Sequence, residues 1–241
     1  MNINRLNISA IKGVLLDIDG TMYDKNRLNF CILKEIIRSN LNHPVYLYLL
    51  LKWLYIFRKE RERLRFHDVG IQSLANKQFI VIYEKYGIDI KFIQNIVEEW
   101  ILNKPLPFLH LFIKKGLCSF LEFCSNELIK IGVYSDYPAK DKVKALGCAK
   151  YCELFLASTN PEINVFKPSP KGLLLACDIW NIEPAQLLYI GDRLEIDALA
   201  AQKAGCQFVL IGKSRSSPCD CICNFQELTD KFKSFRSGVY S

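Results

Sequence analysis

The chain has 241 residues, 50% of them hydrophobic and 24% charged, with a net charge of +7. That composition excludes a disordered chain and fits one large domain, or a core domain with a smaller insert. The modest positive excess suits anionic small molecules, a membrane surface or nucleic acid without choosing among them.

Ten cysteines would suit a disulfide framework in a short secreted chain. Most of them, however, sit inside apolar runs such as GLCSFLEFC and LLLACDIW, and the N-terminal MNINRLNISAIKG lacks the apolar stretch of a secretory signal. The expectation is a reduced, cytoplasmic protein that uses cysteine as a small hydrophobe. No apolar run reaches the roughly 18 residues of a membrane-spanning helix.

The first apolar run, Gly13–Ile18, has strand length and is apolar along its length up to Asp17, as a strand covered on both faces should be. It ends in Asp17 and Asp19, followed by Gly20 and Thr21, so a buried strand finishes on two carboxylates that must be paired or put to use. From residue 24 to 113 the pattern is helical: Leu28–Ser39, Pro44–Arg65, Ile71–Tyr86 and Ile90–Asn103, separated at NLNHP, HDVG and YGIDI and closed by NKPLPF. Beyond it, strand and helix alternate. A helix at Lys114–Cys124 precedes strand Ile129–Tyr134, helix Pro138–Leu146 and strand Leu154–Ala157. Helix Pro168–Trp180, strand Leu187–Ile190, helix Leu194–Ala204 and strand Phe208–Ile211 follow, with a weaker strand at Cys219–Cys223. This order predicts an α/β fold with a doubly wound, Rossmann-like parallel-sheet core formed by residues 1–23 and 114–241. Residues 24–113 would be a small all-helical cap domain. Ligands of such sheets bind at the carboxyl ends of the strands, so the insert would roof the site.

Polar residues follow these strands at four places. They are Asp17 and Asp19 after the first, Ser135 with Asp136 after Tyr134, Lys167 in VFKPSP, and Asp192 with Asp197 in YIGDRLEIDALAAQKAG. In order and spacing, Asp17-x-Asp19-Gly20-Thr21, Ser135, Lys167 and Gly191-Asp192-x4-Asp197 resemble the haloacid dehalogenase superfamily, in its phosphatase branch with a helical cap inserted after the first motif. The resemblance covers residues 12–24 and 114 to the C-terminus.

The resemblance implies a Mg²⁺-dependent phosphatase that hydrolyses a phosphate monoester of a small molecule through an aspartyl-phosphate. Asp17 would attack phosphorus, being ionised at pH 7 without a base. Asp19 would protonate the leaving alkoxide and then activate water. Thr21, Ser135 and Lys167 would bind the phosphoryl group, whose charge makes catalysis mostly electrostatic. Asp17, the backbone carbonyl of Asp19, and Asp192 would hold Mg²⁺, with Asp197 steadying Lys167 or a metal-bound water from behind. Glu195 competes for that last role. Halide needs neither a protonating acid nor Mg²⁺, so Asp19 and Asp192 argue against a dehalogenase. A phosphomutase of the same superfamily remains open, because that difference lies in the cap. Each residue also has a plain structural reading: a strand-end turn or helix cap for Asp17 and Asp19, a cap for Ser135 and Asp192, a solvated loop lysine for Lys167, a surface helix acid for Asp197.

PVYLYLLLKWLYIFRKERERLR, Pro44–Arg65, is apolar nearly all round in its first half and strongly basic in its second. The plain expectation is a cap helix whose apolar half packs on its neighbours and whose basic half is a solvated face. A second is peripheral contact with an anionic membrane surface, which would suit a lipid-linked phosphate substrate, and a third is an oligomer contact. A binding module that keeps the fold without the chemistry is a further alternative. Nucleic acid is not an expected partner, because the basic residues come with no recognition motif. Cys219, Cys221 and Cys223 alternate, so an extended segment would place them on one face, buried or, less simply, holding a metal.

Overall fold

A computed structural model describes residues 6–66, 72–212 and 219–236. The strands are β1 (Gly13–Leu16), β2 (Lys130–Ser135), β3 (Leu154–Ala157), β4 (Leu187–Gly191), β5 (Gln207–Ile211) and β6 (Asp220–Ile222). All pair in parallel, in the order β3-β2-β1-β4-β5-β6. The strand order reverses beside β1, which opens a crevice at the carboxyl ends of β1, β2 and β4. β1, β4 and β5 are buried along their full length. Alternate side chains serve the two faces. Val14 and Leu16 join one core with Phe120, Val133 and Phe232, while Leu15 joins the other with Tyr134, Leu173, Tyr189 and Phe208.

The helices are α1 (Lys25–Ser39), α2 (Pro44–Leu64), α3 (Leu74–Tyr86), α4 (Ile90–Val97), α5 (Leu117–Asn126), α6 (Lys140–Ala145), α7 (Lys171–Trp180), α8 (Leu199–Ala204) and α9 (Phe225–Arg236). α1 begins earlier than its apolar pattern, because the Asp24 carboxylate accepts from the Asn26 and Arg27 amides and caps it there. The expected third helix began at Ile71, which lies outside the described residues together with the HDVG breaker. α4 passes into a wider π turn, Glu98–Asn103, closed by Lys104 N donating to the Glu99 carbonyl at 2.8 Å. A 3-10 stretch, Leu106–Phe112, continues where NKPLPF was expected to stop, because Leu109 is buried there. Asp24 N then donates to the Phe112 carbonyl at 2.8 Å, so the helical segment enters and leaves at one point. α9 was not anticipated. Phe225, Leu228 and Phe232 give it a buried stripe against α5, with Phe120 and Phe232 rings 5.8 Å apart.

The solvated-face expectation for the basic half of α2 holds for Arg58, Lys59 and Arg63, which are exposed, and is corrected at two residues. Arg61 and Arg65 are buried, and both reach across to core loops. The Arg61 guanidinium lies 3.6 Å from the Tyr137 ring centroid and donates to the Asp136 carbonyl. Arg65 donates to the Lys167 carbonyl at 2.7 Å and pairs with Asp136 at 2.8 Å. Phe57, Leu54 and Leu50 form the same buried face over the three preceding turns, so Arg61 and Arg65 continue an apolar stripe. In the first half, Leu50, Trp53 and Leu54 are buried while Val45, Tyr48 and Tyr55 are exposed, so the apolar half packs along one side only. Among the described residues, no helix is long and apolar enough to cross a membrane. All ten cysteines are free thiols. Cys219 and Cys221 are half-buried and Cys223 is exposed, so the shared buried face expected for them is only partial.

Candidate active site

β1 and β4 end side by side, and Asp17 N donates to the Ile190 carbonyl at 2.8 Å, extending their ladder to the carboxylate. Asp17 is buried. Its Oδ1 accepts from Lys167 Nζ at 2.7 Å and its Oδ2 from the Thr21 hydroxyl at 3.2 Å. Lys167 lies in the connection from β3 to α7 and is buried as well. Its ammonium also donates to Asp197 Oδ1 at 2.7 Å and to the Tyr189 hydroxyl at 2.9 Å. Asp197 is presented by a second π turn, Leu194–Ala198, in which the Arg193 carbonyl accepts from the Asp197 and Ala198 amides. Asp192 lines the same cleft at the end of β4. The turn after Asp19 needs glycine: Gly20 has φ +103°, and a Cβ there would stand 2.1 Å from Asp192 Oδ2.

Asp19 faces the cleft from the other side. Both of its oxygens accept from Lys142 Nζ of α6, at 2.5 and 2.8 Å, and its Oδ1 also accepts from the Tyr23 hydroxyl. Burial pushes Asp19 up, but Lys142, Lys25 and the two hydrogen-bond donors outweigh it and hold the carboxyl at about 2. Asp17 goes the other way. Burial raises it to about 7, and repulsion from Asp197, Asp192 and Asp19 adds to that against the opposing pull of Lys167. Asp192 is raised too, by burial and then by Asp197. Burial opposes the Lys167 charge, yet Asp17 and Asp197 hold that ammonium well above the usual lysine range. One lysine therefore faces more carboxylate charge than it can compensate.

Asp17, Asp192 and Asp197 each offer an oxygen within 4.8 Å of the others. The fit to a hard cation is good, since oxygen donors and uncompensated negative charge are what such an ion requires. Asp197 contributes least, because Oδ1 is committed to Lys167 and Tyr189 and Oδ2 accepts from Arg193 N at 3.1 Å.

A family model described as haloacid dehalogenase-like hydrolase matches residues 11–205. The chain belongs to the haloacid dehalogenase-like hydrolases. A phosphoglycolate phosphatase of Thiobacillus denitrificans is 40% identical over 79 residues, 32% of this chain and 33% of that one. The matches span only 33% and 43% of the curated relatives' own lengths. Among solved structures, a 2-haloacid dehalogenase from Pseudomonas syringae aligns over 93% of this chain and 99% of its own, with a TM-score of 0.63 and 22% identity. YfnB, a HAD-hydrolase from Bacillus subtilis solved with magnesium, aligns over 92% and 99%, with a TM-score of 0.65 and 15% identity. At these identities the likeness is one of fold.

In this haloacid dehalogenase-like hydrolase, Asp17, Asp19, Ser135, Lys167, Asp192 and Asp197 all line one cleft. Ser135 is buried, and its Oγ accepts from Tyr137 N at 3.3 Å. Thr21 is buried beneath Asp17, with its hydroxyl turned to that carboxylate. Of the two acids that competed for the place behind Lys167, Asp197 stands there at 1% side-chain exposure, whereas Glu195 is 66% exposed and paired with Arg193. Sequence reasoning missed Lys142 and Tyr189, and it placed Asp136 at a strand end without giving it a role. Asp136 accepts from Ser158 Oγ at 2.7 Å, and although burial raises it, Lys167, Arg65 and Arg61 keep its carboxyl well below the usual range. Tyr189 is fully buried in a strand where phenylalanine would serve packing alone. A hydroxyl in that position was the available signal.

Proposed function

We propose that this haloacid dehalogenase-like hydrolase is a Mg²⁺-dependent phosphatase that cleaves a phosphate monoester of a small molecule through an aspartyl-phosphate on Asp17. The observation that carries the reading is Lys167 Nζ, buried and held at 2.7 Å from both Asp17 and Asp197, at the carboxyl edge of the sheet beside Asp192. A fixed positive charge next to a carboxylate nucleophile suits attack on an anionic phosphoryl group. Asp17, Asp192 and the Asp19 carbonyl would hold the cation, which neutralises charge on the carboxylates and on the phosphoryl oxygens. Oxygen donors with few carboxylates favour Mg²⁺.

In the first step an Asp17 oxygen bonds to phosphorus as the ester P–O bond breaks, and the departing alkoxide takes a proton from Asp19. In the second, Asp19 takes a proton from water, whose oxygen attacks phosphorus, and phosphate leaves as Asp17 is regenerated. Lys167 and Ser135 orient the phosphoryl group, and Thr21 holds the Asp17 carboxylate from behind. Asp19 bridged by Lys142 is ionised and so is in its base form, and the acid step requires Lys142 to move off it. Asp19 also favours phosphoryl chemistry over dehalogenation, because halide leaves without a proton.

The test is a panel of phosphate monoesters assayed with Mg²⁺ and with chelator. Turnover that needs the cation and is lost in Asp17→Asn is expected. Turnover retained by Asp17→Asn, or none on any ester, would refute the reading.

A further inference from the structure

On the helical side of the cleft, several polar groups have no part in phosphoryl transfer. Lys25 opens α1, Asn29 follows one turn later, Arg58 stands on α2 and Trp100 in the π turn after α4, and all line the cleft that holds Asp17 and Lys167. Of the other cations of the cleft, Lys142 has Asp19, Lys167 has Asp17 and Asp197, Arg65 has Glu62 and Asp136, and Arg193 has Glu62 and Glu195, while Arg61 donates to Gln78 Oε1 at 3.0 Å and to the Asp136 carbonyl and lies over the Tyr137 and Phe166 rings. Among the described residues, Lys25 and Arg58 have no ion pair. Lys25 also occupies the first turn of a helix, where the dipole disfavours a cation. Trp100 is buried, and its indole Nε1–H has no hydrogen-bond partner. A desolvated donor of that kind needs a reason, and π turns recur at functional sites.

Resting on the phosphatase reading, we propose that these groups form a second anion subsite. The alcohol released from phosphate carries its own carboxylate or phosphate, which lies between Lys25 and Arg58 and accepts from Trp100 Nε1–H and the Asn29 amide. Lys167 and Ser135 already serve the transferring phosphoryl group, so two further cations exceed what one phosphate requires. A neutral leaving group would leave Arg58 without a counter-charge and Lys25 with only the longer-range field of Asp19 and Asp192, and an amine would be repelled by both.

Four esters of similar size, ethyl phosphate, aminoethyl phosphate, carboxymethyl phosphate and ethylene bisphosphate, are assayed on the full chain with Mg²⁺. At least one anionic ester should exceed ethyl phosphate in kcat/KM by about ten- to a hundredfold, as expected of charge-assisted hydrogen bonds. Which of the two does so identifies the distal group, and aminoethyl phosphate should be the poorest. Arg58→Ala and Trp100→Phe should each collapse the anionic-to-neutral ratio, chiefly through KM, and Arg58→Lys should restore part of it. Lys59→Ala removes an equal charge from the next, exposed position of α2 and should leave the ratio at its parental value. Turnover of ethyl phosphate with a ratio near one, or an unchanged ratio in Arg58→Ala, overturns the subsite alone. No turnover on any of the four overturns the phosphatase reading and the subsite with it.

Discussion

Replacing Arg65 by methionine removes the charge contact that ties the end of α2 to the loops at Asp136 and Lys167. The Arg65 side chain is 1% exposed, with Nη1 at 2.7 Å from the Lys167 carbonyl and 2.8 Å from Asp136 Oδ2, and with Nε and Nη2 at 3.0 and 2.9 Å from Glu62. Glu62 is half in water, so that contact is worth at most about 1 kcal/mol. Asp136 is different, because the variant leaves a carboxylate at 15% exposure without its nearest guanidinium. Removing one member of a buried pair costs roughly 3–5 kcal/mol. Ser158 Oγ remains at 2.7 Å from Asp136, and Lys167 and Arg61 still oppose its charge, which places the expectation at the lower end, about 3 kcal/mol. Urea denaturation at pH 7 should show a lower midpoint with an unchanged slope. For a chain of this size, at about 2–4 °C per kcal/mol, Tm should fall by about 6–12 °C. Asp136→Asn in the same background should recover part of the loss, since the charge that lost its nearest partner is gone. A loss below about 1 kcal/mol, or no recovery in the double variant, would refute the buried-clasp reasoning.

Three further outcomes follow from the site. Asp19, held at about 2 against an ordinary 3.8, contributes stability above its unfolded pKa that is lost as pH falls toward 2; Lys142→Met should remove most of it, so the two proteins' urea midpoints should converge between pH 4 and 2. Asp17 has the opposite sign. Its folded pKa of about 7 lies above 3.8, so in chelator stability falls as pH rises from 4 to 7; Asp17→Asn should flatten that fall in urea midpoints, and saturating Mg²⁺ should do the same in the parent. Gly20→Ala must place a Cβ 2.1 Å from Asp192 Oδ2 at φ +103°; calorimetric titration should show Mg²⁺ affinity down at least about tenfold with the fold retained by circular dichroism.

Much of the sheet was legible because each strand is apolar on both faces and stops at a polar residue. The ends of β3 were read without error, and those of β1, β2, β4 and β5 to within two residues. The cleft was legible for the same reason, since Asp17, Ser135, Lys167 and Asp192 all follow strand ends. Lys142 was not. PAKDKVKALG carries Lys140, Lys142 and Lys144 on one short helix, and local pattern gives no means of telling which turns inward. Arg61 and Arg65 were readable in principle. They extend the stripe of Leu50, Leu54 and Phe57 at spacings of three and four, but their charge outweighed their position in the sequence reading. α9 was missed because its buried Phe225, Leu228 and Phe232 are set among charged residues.

The bond from Arg65 to the Lys167 carbonyl has a consequence for modularity. The helical segment does not merely cover the sheet; it supplies a strut to the loop that carries the central ammonium. Grafting this segment from a relative onto the sheet would therefore move the lysine as well as the roof. A working chimera would have to carry the loops at Asp136 and Lys167 along with the helices, as one transplantable unit.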